Sequence, residues 1–117
     1  MIRKLAAIAS AVILGLTLAA KPAEASWNAC PVNSFCTWSN TSYWGVFEYF
    51  EWVNYGSQCL ATRWDVSSIR NRSNHVTLLY TTTNCTGSSF QVVANQSFSP
   101  MPSFIGDNNL RSAKMLP

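Results

Sequence analysis

One spacing pattern occurs twice in this 117-residue chain and limits its folds more than any other feature. Trp38-x4-Tyr43-x-Gly45 is repeated as Tyr80-x4-Cys85-x-Gly87, 42 positions later. Each copy has an aromatic, four spacers, a residue of the kind that packs inward, one spacer and a glycine. A polar-x-x-Ser group follows each copy at nearly the same distance: Asp65-Val66-Ser67-Ser68, then Asn109-Leu110-Arg111-Ser112. The physical reading is a folded hairpin. The glycine takes a positive φ that other residues adopt only at a cost. The hairpin then folds back over a sheet, the aromatic packs beneath it, and the later serine hydrogen-bonds the turn and pins it. Two copies in register imply a duplicated unit of about 40 residues.

The remaining pattern agrees with an all-β chain. Val46–Phe50, Val76–Tyr80 and Phe90–Val93 are short runs rich in β formers. Segments rich in Asn, Ser, Thr, Gly and Pro separate them, at residues 39–42, 81–89 and 95–106. No long helical period appears after residue 26. Short strands at this spacing predict a sandwich or barrel.

The N-terminus reads as an export signal. Arg3 and Lys4 precede an apolar run from Leu5 to Ala20, and Ala23-Glu24-Ala25 supplies small residues at a cleavage site. The run is short for a bilayer span, which needs roughly 20 residues. Residues 1–25 are therefore expected to be removed, leaving one domain over residues 26–117. That part carries five cations (Arg63, Arg70, Arg72, Arg111, Lys114) and four carboxylates (Glu48, Glu51, Asp65, Asp107). Such a near-neutral, dispersed balance gives no basic face for nucleic acid. No membrane association is expected after cleavage. All four cysteines follow the cleavage site, which suits an oxidising compartment. Four cysteines allow three pairings. Cys30 and Cys36 are close in sequence and bounded by Pro31, which suits a small N-terminal loop. Cys59–Cys85 is the expected second bond, tying the first unit to the second.

At Trp38, Tyr43, Gly45 and Ser68, and again at Tyr80, Gly87 and Ser112, the chain resembles the β/γ-crystallin superfamily. Cys85 stands where that superfamily has its second aromatic. The resemblance implies a disulfide-stapled double Greek-key sandwich, with keys over residues 30–73 and 74–117. Cys30-Pro31-x4-Cys36, then Trp38, then Asn84-Cys85-Thr86-Gly87 are similar to the actinobacterial (Streptomyces-type) metalloproteinase-inhibitor family. That resemblance implies a small secreted inhibitor of metallopeptidases and no catalytic residues. The family's exposed reactive loop is held by a nearby disulfide. Here no second short Cys-to-Cys loop exists, because Cys59 and Cys85 are far apart in sequence.

Other chemistry is thinly represented. His75 is the sole histidine, so a zinc site built from several His or Cys ligands is not expected. No G-x-S-x-G context supports a Ser-His-Asp hydrolase. Glu48 and Glu51, three apart on a strand, face opposite ways and do not form a glycosidase pair. Crystallin-like motifs often bind calcium through two Asn or Asp residues, two spacers and Ser or Thr followed by Ser. Asn108-Asn109-Leu110-Arg111-Ser112 matches up to Ala113, and Asp65-Val66-Ser67-Ser68 matches less completely. Calcium prefers six to eight oxygens, and affinity grows with ligand charge. Asp65, Ser68, Asn108, Asn109 and Ser112 therefore predict weak calcium binding at most, and no other cofactor.

The leading functional expectation is a monomeric secreted inhibitor that seats a surface loop in a protease cleft. A crystallin-like module that binds cell-wall glycan or calcium, or a toxin-like protein, is the alternative, with Trp27, Trp44 and Trp52 as stacking platforms for sugars. Two loops are candidates for inhibition. Residues 55–61 carry Gln58, Cys59, Leu60 and Ala61, with Leu60 expected to fill a hydrophobic specificity pocket. Residues 95–106 are stiffened by Pro100 and Pro102, with Met101 and Phe104 as expected anchors.

Overall fold

A computed structural model describes residues 26–117. The expected export signal, residues 1–25, lies outside the described residues. Among the described residues, no helix is long and apolar enough to cross a membrane.

Among the described residues, eight strands form two antiparallel sheets. They are β1 (Ser34–Asn40), β2 (Trp44–Glu51), β3 (Leu60–Ala61), β4 (Ser68–Asn71), β5 (Thr77–Tyr80), β6 (Ser89–Val92), β7 (Ser97–Phe98) and β8 (Ser112–Met115). One sheet has the order β2-β1-β4-β7 and the other β3-β8-β5-β6. Each half of the chain thus contributes three strands to one sheet and a two-residue strand to the other. β7 leaves the second half to pair with β4 through Ile69↔Phe98 and Arg70↔Ser97. β3 leaves the first half to pair with β8 through Leu60↔Ala113 and Ala61↔Ser112.

The main core includes Phe35, Phe50, Leu60, Val66, Ile69, Leu79, Val92, Leu110 and Met115. β1 is buried over Ser34–Trp38. Period-two alternation sends Phe35 into that main core and sends Cys36 and Trp38 to the opposite face. There Cys30, Cys36 and Trp38 form a second cluster, with Tyr43 and Phe47 packed on it. The Cys30–Cys36 disulfide, with a Cα separation of 5.8 Å, sits inside this cluster.

β2 ends in a single helical turn, α1 (Trp52–Tyr55), closed by Gly56 at φ 55°. The N-terminal segment is tied to the sheet by cations. The Arg70 guanidinium lies 3.3 Å from the centre of the Trp27 ring. Arg70 Nη1 donates to Trp27 O at 2.8 Å, and Arg72 Nη1 donates to Cys30 O at 2.8 Å. Burial, and then the charge of Arg72, push the Arg70 guanidinium below its usual pKa.

Candidate functional site

The repeated motif becomes two equivalent clasps. In the first, Tyr43 has φ 61° and Gly45 has φ 90°. Tyr43 N donates to Ser68 Oγ at 3.1 Å, and Ser68 Oγ donates to Asn40 O at 2.6 Å. Ser67 N donates to Trp38 O at 2.9 Å. In the second, Cys85 has φ 56° and Gly87 has φ 87°. Cys85 N donates to Ser112 Oγ at 3.0 Å, and Ser112 Oγ donates to Thr82 O. Arg111 N donates to Tyr80 O at 3.0 Å. Buried Ser68 and Ser112 therefore do the same work: each accepts from the left-handed residue of its hairpin and donates to the carbonyl three residues before it.

The clasps close differently. Tyr43 meets Trp38 edge-on, with ring centroids 5.1 Å apart. Cys85 instead bonds covalently to Cys59, with a Cα separation of 5.9 Å. That bond welds residues 55–61 to residues 81–89. In the latter segment every residue but Cys85 is exposed. The segment is also bonded to itself. Thr82 Oγ1 donates to Thr86 O at 2.8 Å and accepts from Thr86 N at 3.2 Å. Thr86 Oγ1 donates to Asn84 Oδ1 at 2.6 Å. The result is an exposed, preorganised protrusion of backbone and small polar side chains.

The loop residues expected from sequence are distributed around this weld. Gln58, Cys59 and Ala61 are exposed. Leu60 is not available to a partner: it is 3% exposed and belongs to the core. Its expected role as a pocket-filling side chain is corrected. Antiparallel pairing with β8 turns Leu60 inward and Ala61 outward, as strand alternation requires. In residues 95–106, Met101 is also buried, at 6%, whereas Phe104 is 57% exposed. Met101 is thus not an anchor, and Phe104 leans on Phe90 with ring centroids 6.0 Å apart. Residues 81–89 read in the sequence as a turn-rich segment that carries Cys85 and Gly87 of the second motif, and not as a candidate inhibitory loop. Their usable signal was the cysteine at the middle of a polar run.

The two calcium-like motifs do come together. Ser67 Oγ donates to Asn108 Oδ1 at 3.1 Å, and Asn108 N donates to Val66 O at 3.2 Å. A cation of the protein's own stands among their oxygens. Arg111 Nη1 donates to Asn108 O at 2.9 Å and to Leu110 O at 3.3 Å, and lies 3.7 Å from Asp65 Oδ1. The Ser68 and Ser112 hydroxyls are committed to the clasps, and Asn109 is exposed. Among the described residues, no three His, Cys, Asp or Glu side chains gather as metal ligands.

Glu48, Glu51 and His75 are engaged separately. Arg63 Nε donates to Glu48 Oε2 at 2.7 Å, and Asn54 Nδ2 donates to Glu51 Oε1 at 2.8 Å. His75 Nδ1 lies 2.8 Å from Leu116 O, with its ring stacked on Trp52 at 3.7 Å.

No curated protein and no solved structure matches the chain. A family model does match, over residues 23–92, a span that holds Cys30, Cys36 and Trp38 and both sides of the Cys59–Cys85 weld. By that match the chain belongs to peptidase inhibitor family I36, the Streptomyces metalloproteinase-inhibitor family.

Proposed function

We propose that this peptidase inhibitor acts on secreted metallopeptidases of the thermolysin type, by seating residues 81–89, buttressed by residues 55–59, in the peptidase cleft. The observation that carries this reading is the Cys59–Cys85 weld beneath an exposed, self-bonded loop. A loop already ordered before binding loses less freedom on docking, so more of its contact energy appears as affinity. Both segments fall inside the family span, whereas residues 95–106 fall beyond it. The mechanism needs no catalytic group on the inhibitor.

The same reading takes residues 26–117 as one secreted, monomeric domain formed after removal of the export signal. It takes the two clasped units as the Greek keys of a β/γ-crystallin-like sandwich. The matching Ser68 and Ser112 bonds, and the reciprocal placement of β3 and β7, support that view.

The test is a titration of the oxidised protein against thermolysin-type and serine-type peptidases. Stoichiometric inhibition of the metallopeptidase alone is expected. Ser88→Arg should weaken it about a hundredfold, which corresponds to roughly 2.7 kcal/mol. Phe104→Arg should leave it intact. Inhibition of the serine class alone would overturn the metallopeptidase assignment. Retention on cell-wall glycan without inhibition of either class would replace the reading with a binding module.

A further inference from the structure

The two disulfides differ in access, and the difference falls on the proposed binding face. Cys30 and Cys36 are buried at 1% and 0% exposure, packed with Trp38. Cys59 is exposed and Cys85 is half-buried. We propose that the Cys59–Cys85 bond is a thiol-exchange site, opened by a dithiol reductant while Cys30–Cys36 stays closed, and that opening it switches the inhibitor off. The second half of this statement rests on the inhibitor reading; the first does not.

Exchange requires a thiolate to reach a disulfide sulfur in line, so access controls its rate. A dithiol thiolate attacks Cys59 Sγ and expels Cys85 as a thiolate. The dithiol's second sulfur then attacks the mixed disulfide and releases Cys59. Two electrons pass from the dithiol, which leaves as a cyclic disulfide, and Cys59 and Cys85 each end with one proton. Cys85 Sγ lies 3.4 Å from Ala113 O, so its new S–H has an acceptor in place.

What comes loose is limited. The backbone bonds of residues 56–59 are local: Gly56 N donates to Trp52 O at 2.8 Å and Gln58 N to Tyr55 O at 3.2 Å. Beyond them, Leu60 is buried and β3 pairs with β8. Cys85 N keeps its bond to Ser112 Oγ, which is independent of sulfur chemistry. Opening the bond therefore frees residues 56–59 from residues 81–89 while leaving the sheets and the core in place.

The experiment exposes the folded protein to graded dithiothreitol, traps thiols with iodoacetamide, and maps the alkylated cysteines by mass spectrometry. Near-UV circular dichroism and metallopeptidase inhibition are read on the same samples. Cys59 and Cys85 should be labelled at least about tenfold faster than Cys30 and Cys36, because only they are accessible to attack. Near-UV signal should persist, and inhibition should fall with labelling and return when unlabelled samples are reoxidised. Equal labelling of all four cysteines, or loss of tertiary signal with the first bond, would overturn the site. Selective labelling with inhibition unchanged would overturn the switch. Selective labelling of a protein that inhibits no peptidase even when oxidised would keep the exchange site and remove the inhibitor reading beneath the switch. A Cys59→Ser/Cys85→Ser variant should fold and inhibit weakly; its failure to fold would count against the proposal.

Discussion

The first clasp is closed by an aromatic contact and the second by a covalent bond, yet both use the same serine bonds and the same left-handed turn. Tyr43 lies against Trp38, and the region beneath it is filled by Cys30, Cys36 and Phe47. Cys85 has no such aromatic clasp. Its closure reaches instead to Cys59, on a different loop. The comparison separates two tasks. Backbone hydrogen bonds set the shape of the hairpin in both halves. The closure decides what the hairpin is joined to: the core in the first half, a second exposed loop in the second. An aromatic closure consolidates a fold, whereas the disulfide closure leaves small polar residues free at a rigid surface, as a recognition loop needs.

The largest expected difference between the halves comes from removing each closure. Trp38→Ala empties a fully buried site and should cost about 3–5 kcal/mol, the usual range for large aromatics. Removing the Cys59–Cys85 bond should cost about 3.5 kcal/mol, near the low end of that range, from the freed chain entropy of a 26-residue separation. Chemical denaturation of both variants checks the order. A disulfide variant less stable than Trp38→Ala would break the claim that the aromatic side carries the fold.

The glycines give a finer comparison. Both have positive φ, so alanine is strained at either position by about 1–3 kcal/mol. At Gly45 the added carbon would also collide with Ser39 Oγ, which accepts from Val46 N at 2.8 Å. At Gly87 it would meet open space. Gly45→Ala should therefore lower the melting temperature more than Gly87→Ala. Equal shifts would show that the crowding around the first clasp is not felt.

Ser68→Ala and Ser112→Ala should be alike, each costing about 1–3 kcal/mol because each removes two hydrogen bonds made by a buried hydroxyl. A large inequality would sharpen the comparison by showing that one clasp is redundant with its closure. The smallest effect is expected from calcium. Millimolar calcium should leave the melting temperature unchanged, because stabilisation depends on ligand concentration relative to its dissociation constant. Arg111 already supplies positive charge among the oxygens of Asp65, Asn108 and Leu110. A clear upward shift at micromolar calcium would mean that Arg111 is displaced.

Much of this arrangement was legible in the sequence because backbone geometry demands particular residues. A left-handed turn wants glycine, and a hydroxyl must stand where the turn is pinned, so Gly45, Gly87, Ser68 and Ser112 kept a readable spacing. Sequence proximity also pointed to Cys30–Cys36, and Cys59–Cys85 was the expected tie between the two units. The misreadings have physical causes. Leu60 lies on a two-residue strand, too short to display alternation, so its inward face was invisible. β1 is buried on both sides and shows no polar face to mark it as a strand. Residues 81–89 carry no apolar anchor. Their part in the site follows from where the Cys59–Cys85 bond brings them, which no local pattern encodes.

The central claim is that the disulfide-closed clasp, and not the aromatic one, meets the peptidase. Amide hydrogen exchange of the oxidised inhibitor, free and in complex with a thermolysin-type metallopeptidase, tests it most directly. New protection is expected within residues 55–59 and 81–89, with residues 41–45 and 95–106 exchanging as in the free protein. Protection confined to residues 41–45 or 95–106 would contradict it.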